Sequence, residues 1–341
     1  MLFRSTLILP LFEIDSINLQ LYKLVILKIF HSINEFVATK KTILTLGTFD
    51  GVHFGHKTIL KKVTQGTMNG NYESVVLTFF PHPRMVLQEK SEIKLLNTIE
   101  EKIELLEQLG IENLIIHPFD TTFSQLTAEE FVRDILVNRF NIQKIIIGYD
   151  HRFGRNRTAD INDLITYGKT YHFEVEQITA QEINAISVSS TKIRTAILEG
   201  EIDLANAYLE YPYPISGQVI QGKQLGRTIG FPTANIAIAE DFKLIPKNGV
   251  YVVSSFIDEE LVYGMMNIGT NPTVGGEKQS IEVHFLDFSK DLYNQSVKIS
   301  ILHRLRSEQK FQNIDFLKAQ LALDESTTRK YITANQLLNK S

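Results

Sequence analysis

Residues 47–56, GTFDGVHFGH, constrain this chain more than any other stretch. They follow a short apolar run over 42–46 and lead directly into an amphipathic segment over 57–65. A strand, a glycine-containing turn and a helix start form an anion site, because backbone N–H groups and the helix dipole converge there. Gly47 and Gly51 permit the tight turn, and Gly55 leaves nothing between His53 and His56 to block a ligand. Imidazoles with pKa values near neutrality can donate hydrogen bonds to phosphate oxygens as charge develops on a leaving pyrophosphate. The turn therefore fits nucleotidyl transfer. Two plainer readings stay open here: half of a zinc site, though the chain has no cysteine and no HExxH spacing, or a pair of satisfied turn histidines.

With 341 residues, 43% of them hydrophobic, the chain is long enough for two cores. A formal charge of −4 argues against general nucleic-acid binding, which calls for a basic surplus. The absence of cysteine suits a reducing cytoplasm and removes thiolate metal sites. No run of 18 apolar residues occurs, and Glu13, Asp15, Lys23 and Lys28 interrupt the apolar-rich N-terminus, so neither a membrane span nor a signal peptide is expected.

From 42 to about 178, β-branched runs alternate with helical patterns, which predicts βαβ units and a mostly parallel sheet. The strands are expected at 42–46, 74–80, 113–117, 144–148 and 173–177, with helices at 57–65, 98–109, 128–138 and 160–167. Thr98 and Glu101 read as a capping box, and Gly110 closes that helix. Ligands of such sheets bind beyond the carboxyl ends of the strands. The loops there carry unusual residues. Pro81 and Pro83 frame His82 and Arg84 in a stiff turn suited to a phosphate contact or to plain structure. Asp150, Arg152, Arg155 and Arg157 crowd residues 148–160. In VSSTKIR, 188–194, Ser190 or Thr191 can cap a helix at whose start Lys192 and Arg194 offer cations.

The prolines of YPYPISG suggest a stiff linker over 209–214. Beyond it, short strands near 219–220, 233–238, 249–256, 261–268, 280–285 and 296–302 predict a compact antiparallel barrel, covered by a helix over 313–324. The stretch GKQLGRTIGFPTAN, 222–235, is not a Walker A sequence. Its Gly222, Gly226, Lys223 and Arg227 can nevertheless wrap phosphates, or simply form a glycine-rich hairpin. Thr233 and Asn235 offer hard oxygen ligands suited to Mg²⁺. NIGTNPT, 267–273, reads as a tight turn able to close over a ligand. Glu282 lies within an otherwise apolar strand, a costly position unless it is exposed, paired or working, and a carboxylate there can accept a proton from a primary alcohol.

The sequence GTFDGVHFGH resembles the HxGH signature of nucleotidylyltransferases, and in its longer GxFDGxHxGH form that of the bacterial bifunctional riboflavin kinase/FMN adenylyltransferases. TFFPHP (78–83), GYDHRFG (148–154), VSSTKIR (188–194), PTAN (232–235) and IEVHFLDF (281–288) are similar to that family's motifs in order and spacing, with His151 where the family often has Phe. The resemblance covers about 28–335. It implies a Rossmann-like α/β nucleotidylyltransferase domain over 28–208, then a β-barrel riboflavin kinase domain over 215–336 with a terminal helix. It also suggests that 1–27 is an extension, a product of a mis-assigned start or an amphipathic appendage.

The function so implied is riboflavin phosphorylation by ATP to FMN, followed by adenylyl transfer from ATP to FMN, giving FAD and pyrophosphate. Glu282 would be the base of the kinase, Thr233 and Asn235 the Mg²⁺ ligands, and Gly222, Lys223, Gly226 and Arg227 the ATP loop. His53 and His56, with Gly47, Phe49, Asp50, Gly55, Asp150, Ser190, Thr191 and Arg194, would hold the second ATP. His82, Pro83, Asn271 and Arg306 would meet the flavin. The partners would be small molecules alone, with no nucleic acid or membrane, in the cytoplasm; the oligomeric state is left open, with a monomer as the default. Two alternatives remain: one active module only, or a flavin-binding regulator without turnover. A tRNA-charging relative would need a KMSKS-like loop, which is not seen.

Overall fold

The computed structural model describes residues 26–88, 92–149, 151–179, 188–222, 224–273 and 276–338. Most of 1–27 therefore lies outside the described residues.

Among the described residues the N-terminal half holds six strands: β1 (Lys28–Phe30), β2 (Lys41–Leu46), β3 (Tyr72–Phe79), β4 (Asn113–His117), β5 (Ile142–Gly148) and β6 (Glu174–Ile178). They pair in the order β1-β4-β3-β2-β5-β6, every pair parallel. The runs ILTL and VVLTF are buried on both faces, as crossover helices require. β1 was not anticipated; three residues at a sheet edge carry no periodicity. The chain order reverses around β2, so the carboxyl end of β2 is the switch point where such sheets bind ligands.

The helices of this half are α1 (Phe54–Thr67), α2 (Pro83–Leu87), α3 (Ile99–Gln108), α4 (Thr121–Ser124), α5 (Ala128–Glu130), α6 (Ile161–Tyr171), α7 (Ser190–Glu199) and α8 (Ile202–Leu209). α5 continues as a π-helical stretch, Phe131–Val137. The capping box at Thr98 and Glu101 forms as expected, with N···O distances of 3.2 and 3.0 Å. The cap of α7 is Ser189, one residue earlier than expected; its hydroxyl accepts from Lys192 N–H at 3.3 Å.

β7 (Tyr213–Ile220) begins inside the segment read as a linker, and α8 reaches Leu209, so little chain separates the halves. A short α9 (Leu225–Thr228) precedes β8 (Ala234–Ala237), β9 (Gly249–Ile257), β10 (Glu260–Thr273), β11 (Gly276–Phe285) and β12 (Ser296–Arg306). These close an antiparallel barrel in the order β10-β11-β8-β7-β12-β9. The stretch 267–273 is not a turn: it extends β10 and pairs with β11 as far as Thr273 and Gly276. The last helix, α10 (Ile314–Leu338), is longer than expected because Arg306, Asp324 and the His303–Tyr331 ring stack hold it along the barrel.

The barrel core includes Val219, Tyr251, Met266, Ile281 and Ile299, and it runs without a break into Ile193, Ile197, Ile202 and Leu209 of α7 and α8. A second joint lies at α3. Lys243 donates to Glu101 at 2.6 Å and to Leu96 O at 2.7 Å, with its ammonium 4.4 Å above the Tyr213 ring. Glu101 also accepts from Ser216 at 2.9 Å, and Leu95 bridges the 242–244 backbone. Lys243 and Glu101 are fully buried. Removing one member of such a pair strands the other charge in a low dielectric. Lys243→Met should therefore lower unfolding stability by roughly 3–5 kcal/mol, read as a lower denaturant midpoint.

Candidate functional sites

The first site is built at the carboxyl end of β2. Phe49 and Val52 adopt φ of 45° and 33°, and Gly51 87°, so the turn stores strain in a buried position. A Cβ on Gly51 would also sit 2.6 Å from Leu96. The Phe49 ring lies against Gly47 and edge-on to His56, at 5.2 Å between centroids. α1 then starts after His53 with no side-chain cap and no acid in its first turn, leaving its leading N–H groups to an anion. Gly55 is buried in that first turn.

His53 and His56 stack at 3.7 Å, and His56 Nδ1 is buried without a hydrogen-bond partner. Burial, then His53 and Lys102, pull the His56 pKa well below its usual value. The expected near-neutral pKa is thus corrected for His56: the ring stays neutral, with an N–H available for donation.

Asp50 is not placed for phosphate contact. Its Oδ1 accepts from Leu96 N at 2.8 Å and Asn97 N at 3.4 Å, and its Oδ2 receives Arg194 Nη2 at 2.5 Å. Arg194 Nε is held by Lys94 O at 2.8 Å, and Ser190 donates to Asp50 O at 2.9 Å. Asp50 and Ser190 thus lock Arg194 and the start of α7 onto the turn; Thr191 is exposed beside them. His82 is buried and accepts at Nδ1 from Arg84 N at 3.1 Å, capping α2 at Pro83. Burial, opposed by Asp50, brings its pKa down to about 4.

One residue here escaped the sequence reading. Lys102 of α3 is buried and donates to Thr48 O at 2.8 Å; burial lowers its pKa to about 8. The available signal was a lysine on the helix stripe formed by Ile99, Ile103 and Leu106.

The second site lies on the barrel's outer face. Asn235 of β8, Glu282 of β11 and Asn267 of β10 stand directly opposite one another in the ladder, so their side chains share a face. Thr233 Oγ1 approaches Glu282 Oε2 at 3.4 Å. Gly222 closes the group: a Cβ there would lie 2.2 Å from the Asn235 amide. His284 Nδ1 meets Pro232 O at 2.7 Å, fixing the approach to β8. Beside Thr233, a cavity of about 170 Å³ is bounded by Arg227, Val219, Phe285, Leu292 and Tyr293. Gly226 sits in α9, where Phe231 N–H closes on its carbonyl at 2.8 Å. Asn267 was missed because it was read as part of a turn.

Arg306 is engaged elsewhere. It pairs with buried Asp324 at 2.7 Å and donates to Ser307 O at 3.0 Å, which fastens α10 rather than lining the cavity. Asp150, Lys223 and the side chain of Asn271 lie outside the described residues. No helix among the described residues is long and apolar enough to cross a membrane.

Family models described as FAD synthetase and as riboflavin kinase match residues 36–192 and 209–332. A bifunctional riboflavin kinase/FMN adenylyltransferase of Listeria monocytogenes is 40% identical over 291 residues, 85% of this chain and 92% of that protein. One of Escherichia coli is 36% identical over 290 residues, 85% of this chain and 92% of that protein. A crystal structure described as a macrolide-efflux protein from Streptococcus pneumoniae superposes with a TM-score of 0.82 at 32% identity, covering 89% of this chain and 99% of that one. With both family models matched in order along one chain, and relatives alike over most of their length, the chain belongs to the bifunctional riboflavin kinase/FMN adenylyltransferase family.

Proposed function

We propose that the two sites carry out consecutive steps: the barrel phosphorylates riboflavin with ATP to give FMN, and the parallel-sheet domain joins FMN to the AMP part of a second ATP. The observation that supports this reading is the presence of two different polar clusters, each of a kind suited to phosphate, on separate domains. One gathers a carboxylate, a hydroxyl and an amide on a barrel face; the other sets an uncapped helix start beside paired imidazoles.

In the kinase step the Glu282 carboxylate accepts the proton of the ribityl 5′-hydroxyl as that oxygen bonds to the γ-phosphorus of ATP, while the bond to the β-phosphate oxygen breaks and ADP leaves with the electron pair. The cavity beside Thr233 has apolar and aromatic walls suited to the base of the nucleotide, with Arg227 on its rim. Thr233 Oγ1 and the Asn235 amide oxygen are hard, uncharged donors close to one carboxylate, a set that suits Mg²⁺ better than zinc. They would hold the ion, which supplies charge neutralisation to the phosphates when bound.

In the transferase step an FMN phosphate oxygen forms a bond to the α-phosphorus while the bond to the β-phosphate oxygen breaks, and pyrophosphate leaves with the electron pair. No protein nucleophile is required. His53, His56 and the first N–H groups of α1 receive the departing charge, and Arg194, held by Asp50 of the same turn, adds positive charge nearby. A cysteine-free chain suits the cytoplasm, and a monomer is the default working unit.

Crossed variants test the division of labour. Glu282→Ala should cut FMN formation by about 10²–10⁴ and leave FAD formation from supplied FMN intact. His53→Ala should cut FAD formation by about 10²–10³ and spare FMN formation. Parallel loss of both activities in either variant would overturn the assignment. Gly222→Ala, which drives a methyl into the Asn235 amide, should reduce FMN formation more than about tenfold without affecting FAD formation from FMN, as followed by chromatography.

A further inference from the structure

Lys102 has no role in the chemistry above, yet its setting calls for one. Among the described residues its single hydrogen bond goes to the carbonyl of Thr48, inside the GTFDG turn, and no carboxylate pairs with it. Asp50 is nearby, but its oxygens are already taken by Arg194, Leu96 and Asn97. An ammonium has three donors, and burying it without an anion is costly. Its charge acts on His56 of α1 and on His82 ahead of α2, and its bond to Thr48 O sets the ammonium at the GTFDG turn. The Asp50–Arg194 pair cancels, and burial keeps both rings neutral at pH 7. Lys102 is thus a buried cation under the switch point of the sheet whose neighbouring carboxylate, Asp50, is already paired with Arg194.

We propose that Lys102 is a catalytic residue of adenylyl transfer, donating to the substrate phosphate that enters between the His53–His56 turn and the His82 turn and neutralising charge there as FMN attacks. The inference rests on the transferase reading given above. It assigns to α3 a contact that none of the signature motifs contains. Thr48 O takes one N–H of the ammonium, and the other two can serve phosphate oxygens.

A residue that only tied Thr48 in place would act differently on titration. Neutral lysine still donates N–H to a carbonyl, so a purely structural bond survives deprotonation. Charge neutralisation does not. Lys102 is cationic below its pKa of about 8 and neutral above it, with Asp50, His56, His82 and Arg194 as the groups around it. Both substrates are fully ionised at that pH. The wild-type kcat/KM for FAD formation should therefore fall as pH rises through about 8, approaching tenfold per pH unit.

The test uses the full chain and measures FAD formation from supplied FMN and ATP, with FMN formation from riboflavin as the folding control. Lys102→Met should lose about 100-fold or more in FAD formation while FMN formation stays at the wild-type rate. Lys102→Arg should recover part of the activity and move the alkaline fall to higher pH, because guanidinium stays charged. If Lys102→Met forms FAD within threefold of wild type, or if Lys102→Arg keeps the alkaline fall in place, the inference fails. Should Lys102→Met lose both activities, the arginine variant alone decides by its pH profile. Wild-type protein that makes no FAD at all would overturn the underlying transferase reading instead.

Discussion

The buried contact between Glu101 and Lys243 organises the molecule. Glu101 sits at the third position of α3, where its carboxylate completes the cap of its own helix through Thr98 N–H. The same carboxylate receives the Lys243 ammonium from the barrel side and the Ser216 hydroxyl from β7. Burial pushes the Lys243 pKa down and Glu101 opposes that, so the pair is tolerable only because its remaining donors reach Leu96 O and the Tyr213 face. Such a contact has little tolerance for altered geometry. It fixes α3 against the barrel, and the next residue along α3 is Lys102, which reaches the turn after β2. Domain joint and transferase site are thus neighbours on one helix.

Around that joint the two domains solve one problem in different ways. Both must hold polyphosphate at reasonable cost. On the reading proposed above, the parallel-sheet domain relies on backbone: an uncapped helix start, a strained turn and the neutral His56 ring, with its main acid used to aim an arginine. The barrel relies on ladder register, which sets Asn235, Glu282 and Asn267 in a row, and on a glycine that lets the loop close on Asn235. A register fixed by hydrogen-bonded strands positions side chains more rigidly than a loop does. A proton acceptor and metal-type ligands benefit from that rigidity.

Much of this was legible in the sequence, because the signals were local. Alternating apolar runs specified the sheet, the Thr98–Glu101 spacing specified a cap, and GTFDGVHFGH placed a helix start behind a strand. Misplaced details were those decided by tertiary contact. Asp50 looks like any acid in a phosphate loop until the Leu96 and Asn97 amides close on it. Arg306 looks free until Asp324, 18 residues later, takes it. Ser189 and Ser190 are equivalent as caps in sequence, and only the fold sends the hydroxyl of Ser190 to Asp50 O. Residues 267–273 carry turn chemistry, yet pairing with β11 extends them as strand. The near-neutral pKa expected of His56 ignored desolvation, which depends on what packs over the ring.

The central claim is that one chain carries two working sites in series. The most direct measurement is a chromatographic time course of the purified full-length protein with riboflavin, ATP and Mg²⁺. The account predicts that FMN rises first and then gives way to FAD, with pyrophosphate appearing in step with FAD. FMN that accumulates without FAD, or riboflavin that persists unchanged, would contradict it.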